Sequence, residues 1–126
     1  MKTILVDAYN TLVTDDGIFM EMHILLEKFS NKKIILTNAD EEKQKELGLI
    51  NLPYEMFTQS FNPLKTDSQY YKNFLEEYNL WVDDVVYFEH DISAVKSAQS
   101  VWINVYHYNK DTKDLAELER FLRENI

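Results

Sequence analysis

The chain has no cysteine and only two glycines and two prolines in 126 residues. Without cysteine there is no disulfide and no thiolate metal site, and three scattered histidines show no zinc-ligand spacing. A bound metal is therefore expected to be a hard cation held by oxygens. The shortage of glycine excludes a Gly-rich phosphate loop of the Walker A or dinucleotide-fingerprint kind, so phosphate must be gripped in another way. Basic residues are outnumbered, 13 against 22 acidic, and the net charge of -9 repels nucleic acid and anionic lipid at long range. Apolar runs are only a few residues long, so no membrane span is expected, and Met1-Lys2-Thr3 lacks the apolar core of a signal peptide. These absences lead us to expect a cytoplasmic protein with no nucleic-acid or membrane partner.

What is present is a core-forming composition, 45% apolar and 13% aromatic, in a length that suits one domain spanning residues 1-126. Ile4-Leu5-Val6 has the character of a buried strand and runs straight into Asp7, with Thr11 four positions on. A carboxylate at the end of a central parallel strand projects into the crevice where α/β sheets bind ligands. Ile34-Ile35-Leu36 leads in the same way to Thr37-Asn38, and Val85-Val86-Tyr87-Phe88 to Glu89-His90-Asp91.

Between these strands, Asp15-Asp16-Gly17 signals a small hairpin over the Asp7 crevice. Met22, Leu25, Leu26 and Phe29 follow the spacing of a helix with one buried face, ended by Ser30-Asn31. A mostly polar helix over 39-47, capped by Asn38 and closed by Gly48, belongs at an edge. Met56-Phe57-Thr58 forms a short third strand. Asn62-Pro63-Leu64-Lys65 is a loop, and Thr66 with Gln69 forms a capping box for a helix bearing Tyr70, Tyr71, Phe74, Leu75 and Tyr78. Val95 and Ala98 mark the inner face of the next helix. A fifth strand is predicted over Trp102-Tyr106, and a last helix, with Leu115, Leu118, Phe121 and Leu122 inward, is predicted to start at Asp111-Thr112. This alternation predicts a three-layer α/β/α, Rossmann-like architecture with a mostly parallel sheet of about five strands.

Four segments together resemble the motifs of the haloacid dehalogenase-like (HAD) superfamily, most of whose members are phosphohydrolases. Asp7-Ala8-Tyr9-Asn10-Thr11 is similar to its D-x-D-x-T motif, and Ile34-Ile35-Leu36-Thr37 to its strand ending in Ser or Thr. Lys65-Thr66-Asp67 is similar to its lysine run, and the stretch from Val85 to Ala98, through Glu89-His90-Asp91, to its acidic motif. The resemblance implies Asp7 as nucleophile, Thr37, Asn38 and Lys65 as phosphoryl-binding groups, and Lys65 as the cation that holds Asp7 ionised. It also implies Mg²⁺ held by Asp7, the Tyr9 backbone carbonyl and Glu89, with Asp91 as the alternative to Glu89.

Two positions depart from the family's pattern. Tyr9 stands where the phosphatases carry the aspartate that protonates the leaving oxygen, and its loss typically costs about 10² to 10⁴ in rate. Glu89-His90 stands where Asp-Asp or Gly-Asp is usual. Too few residues separate Thr11 from Thr37 for a large cap, so the expected substrate is phosphorylated and either covers the site itself, as a protein or oligomer terminus would, or is a small reactive ester. Acyl and aryl phosphates should turn over and alkyl phosphates barely. Two other readings remain open: a pseudoenzyme kept as a binding or regulatory module, and dehalogenase-like chemistry, since that branch carries D-x-Y. A response-regulator receiver is disfavoured, because only one acid follows the first strand and no aspartate follows Met56-Phe57.

Overall fold

The computed structural model describes residues 1-126. In chain order the elements are β1 (Thr3–Asp7), β2 (Val13–Thr14), β3 (Gly17–Ile18), α1 (Met20–Leu26), β4 (Lys33–Thr37), α2 (Glu41–Glu46), β5 (Glu55–Thr58), α3 (Ser68–Glu77), β6 (Val85–Glu89), α4 (Ile92–Ser100), β7 (Asn104–His107) and α5 (Leu115–Asn125). Five strands form one sheet in the order β5-β4-β1-β6-β7, and every pairing in it is parallel. Its central strand, β1, is buried at all five positions, as a strand covered on both faces must be.

Successive side chains of a strand point to opposite faces, and the packing follows that period. Ile4 and Val6 join Met22, Leu25 and Leu26 of α1 and Leu118 and Leu122 of α5 in one cluster. Leu5 joins Tyr70, Tyr71 and Phe74 of α3 and Ala98 of α4 in the other. The result is the expected α/β/α sandwich. α2 buries none of its residues, in keeping with its polar sequence at the sheet margin. β2 and β3 pair antiparallel around Asp15-Asp16, where Gly17 takes the positive φ (100°) that a side chain would resist. This hairpin and α1 are all that lies between β1 and β4, so there is no cap domain. No helix is long and apolar enough to cross a membrane.

Several boundaries differ from those the sequence suggests. The N-cap of α2 is Asp40, whose carboxylate accepts from the Lys43 N–H at 2.8 Å, because the Asn38 carboxamide is engaged elsewhere. Asp67 rather than Thr66 caps α3. Asp114 rather than Asp111-Thr112 caps α5, since the N–H groups of those two residues are taken by the Asn109 side chain. α1 stops at Leu26, and Phe29 is buried from the turn that follows it. The last strand begins at Asn104, since Trp102 is left-handed (φ 72°) and faces water.

Candidate active site

β1, β4 and β6 are neighbours in the sheet and end at the same pole, so Asp7, Thr37 and Glu89 arrive side by side. Lys65 reaches them from the loop before α3. Its ammonium lies 2.7 Å from Asp7 Oδ1 and 2.7 Å from Glu89 Oε1, and donates to the Leu36 carbonyl at 3.1 Å. All four groups are buried. A charge survives there only when paired, and here each is.

The remaining carboxylate oxygens are also used. Asp7 Oδ2 accepts from the Thr11 hydroxyl at 2.7 Å and from the His90 backbone N–H at 3.3 Å, and it meets the His90 imidazole Nδ1. Glu89 accepts from the Tyr87 hydroxyl at 2.5 Å and from the Asp91 N–H at 3.0 Å. No buried side-chain nitrogen or oxygen lacks a partner. Thr37 Oγ1 accepts from the Ala39 N–H at 3.2 Å, leaving its proton to donate. Asn38 acts from behind: its Oδ1 accepts the Lys65 backbone N–H at 2.7 Å and fixes where that lysine starts.

This arrangement shifts the titrating groups together. Burial by itself would raise the Asp7 carboxyl, but the Lys65 ammonium and the His90 contact outweigh it and hold Asp7 well below the usual carboxylate range. Lys65 is likewise opposed by burial, yet Asp7 and Glu89 keep it protonated far into alkali. His90 loses charge stability to burial and regains more from hydrogen bonds to Asp7 and Glu89, which push it up to about 10. Tyr9 is different. Its hydroxyl is given to Asp15 in the hairpin turn, and that hydrogen bond raises its pKa, so it is no proton donor to a leaving group.

Around these residues opens a crevice of about 210 Å³ that also takes in Tyr9, Lys43, Leu47, Phe61 and Thr66. The ligand atoms of Asp7, Glu89 and His90 all lie within 4.8 Å of one another. Two buried carboxylates fit a divalent cation, oxygen donors suit Mg²⁺, and His90 would join them only after giving up its proton. Asp91 serves the backbone instead, because its carboxylate caps α4, accepting from Ser93 N at 2.8 Å and Ala94 N at 3.4 Å. It lines the crevice but lies outside the cation cluster.

Tyr87 could have been found in the sequence, because residues two apart on a strand share a face and a phenol beside a buried glutamate is a natural partner. Phe61 and Lys43 carried no such signal. Their place in the crevice depends on how two loops fold back.

Solved structures with this architecture exist. An aspartate-to-alanine variant of a HAD family enzyme from Bacteroides thetaiotaomicron, in complex with magnesium and inorganic phosphate, matches over 94% of this chain and 98% of its own at 12% identity and a TM-score of 0.74. The fold is haloacid dehalogenase-like. The core domain of a candidate phosphoglycolate phosphatase from Streptococcus pneumoniae shares this HAD-like fold over 97% of this chain and 95% of its own (19% identity, TM-score 0.62). So does an uncharacterized protein from Corynebacterium glutamicum over 94% and 92% (15% identity, TM-score 0.63). No family model matches the chain, and no curated protein matches it in sequence.

Proposed function

We propose that this HAD-like chain is a divalent-cation-dependent phosphohydrolase, with Mg²⁺ as the expected cation and Asp7 as the nucleophile. The observation that carries the reading is the convergence of Lys65 on both Asp7 and Glu89 at 2.7 Å, beside the Thr37 hydroxyl and under an open crevice. The phosphate complex of the Bacteroides thetaiotaomicron neighbour supports it by analogy of fold.

An Asp7 carboxylate oxygen attacks phosphorus and the bond to the leaving oxygen breaks. Water then opens the aspartyl phosphate and releases inorganic phosphate. Thr37 donates to a phosphoryl oxygen, and Lys65 offsets the charge that develops there. Asp7 and Glu89 would hold the cation with His90 beside them, and when bound it adds positive charge next to the phosphoryl oxygens. Since the Tyr9 hydroxyl donates its hydrogen bond to Asp15, it does not protonate the leaving oxygen. Wild type is expected to hydrolyse an aryl phosphate with Mg²⁺, and Asp7→Asn to lose at least about 10²-fold in rate. Equal rates would remove Asp7 from the chemistry.

A second reading is favoured by one feature: His90 and Lys65 already complement both carboxylates, so the network is complete as it stands. On that reading the fold is a binding or regulatory module. Calorimetry that detects no Mg²⁺ binding at millimolar metal, together with no turnover, would favour it.

A further inference from the structure

We infer that the leaving group this site accepts is an aromatic ring, recognised by Phe61, so that the substrate class is aryl phosphate monoesters. The inference rests on the phosphoryl-transfer reading above and narrows it. Phe61 is a large apolar residue that lines the crevice while remaining 42% exposed. Its backbone is left-handed (φ 67°), as is that of Ser60 before it (φ 51°). L-residues avoid this region, and a bulky residue persists in it only where its surroundings insist.

A relay of hydrogen bonds holds it there. Ser60 N–H donates to Thr58 Oγ1 at 3.1 Å, and Thr58 Oγ1 donates to the Ala39 carbonyl at 2.6 Å. Phe61 N–H donates to the Asn38 carbonyl at 2.8 Å, while the Asn38 side chain takes the Lys65 N–H at 2.7 Å. One residue, next in the chain to Thr37, therefore anchors the backbone of both Phe61 and Lys65. Ala39 and Leu47 continue the apolar side of the crevice.

The chemistry admits the same class independently. As Asp7 bonds to phosphorus, the P–O bond breaks and its electron pair leaves on an oxygen that Tyr9, bound to Asp15, does not protonate. A phenol, with a pKa near that of tyrosine at about 10, leaves so far more readily than an alkyl alcohol. The released phenolate takes its proton from solvent.

Phosphonates, which cannot be hydrolysed, test recognition apart from turnover. Calorimetry on the wild type should show phenylphosphonate binding about tenfold more tightly than methylphosphonate, with Phe61→Gly and Phe61→Asn abolishing the difference and leaving methylphosphonate unchanged. Both substitutions suit a positive φ, so melting temperatures equal to or above the wild type exclude unfolding as the cause. Phe61→Trp should keep the preference. Equal affinity of wild type for the two phosphonates, or an equal loss for both in Phe61→Gly, overturns the inference while sparing the phosphohydrolase reading. Binding of neither, with no hydrolysis, overturns both. Hydrolysis of phenyl phosphate beside that of a phosphotyrosyl peptide then separates a free ester from a protein side chain as the source of the group. A Phe61-dependent KM on either supports the inference, and a Phe61-independent KM on both overturns it.

Discussion

His90 is the residue at which this site departs furthest from a set of carboxylates and a lysine. Its Nδ1 faces Asp7 Oδ2 and lies 3.2 Å from Glu89 Oε2, and the gain outweighs burial, lifting its pKa from 6.5 to about 10. A group whose folded pKa is raised stabilises the fold fully below its unfolded value and loses that contribution as pH climbs through the folded one. In metal-free protein, urea midpoints should therefore fall between pH 6.5 and about 10, with a slope of at most about 1.4 kcal/mol per pH unit. His90→Asn should flatten that interval. Asp7 has the opposite sign: its depressed pKa favours the fold at and above neutral pH, and that contribution disappears on acidification below the ordinary carboxylate range. A profile flat from pH 6.5 to about 9 in the wild type would show that the imidazole is not held as a cation.

Elements decide which acids are free for chemistry and which are spent on structure. In the sequence, Glu89 is the first candidate and Asp91 its alternative, both acidic and both just past the same apolar run. The end of the strand separates them, because Glu89 is the last residue of β6 and meets Lys65, whereas Asp91 lies beyond it as the N-cap of α4. Asp91→Ala should cost about 1 kcal/mol of stability, as cap removal does, and leave divalent-cation affinity within about twofold by calorimetry. Glu89→Gln should weaken that affinity by an order of magnitude or more. Periodicity made β1, β4, β6 and the inner faces of α3 and α5 readable, because burial on one face or both imprints itself on residue order. Caps were less readable. Asn38 and Asp40, or Thr66 and Asp67, are equally good oxygen acceptors, and the choice between them is made by a distant N–H such as that of Lys65. The same holds for Phe61, whose position depends on backbone bonds that no local pattern encodes.

At the scale of the molecule, the site is assembled from both sides of a long stretch of chain: Asp7 near the start, Thr37 and Lys65 in the middle, Glu89 and His90 beyond. Strands β1, β4 and β6 are joined only through non-local parallel pairing, a slow and cooperative kind of contact. A small molecule seated in the crevice touches every one of these segments, so it behaves as a clamp that opposes the sheet's coming apart. Binding to the folded state alone stabilises by about 2.7 kcal/mol at a hundredfold excess over Kd, which for a domain of this size raises the melting temperature on the order of 10 °C. The denaturation curve thus becomes a screening instrument: a panel of anions, run without any assumption about turnover, would pick out the physiological ligand by how much heat the protein then withstands.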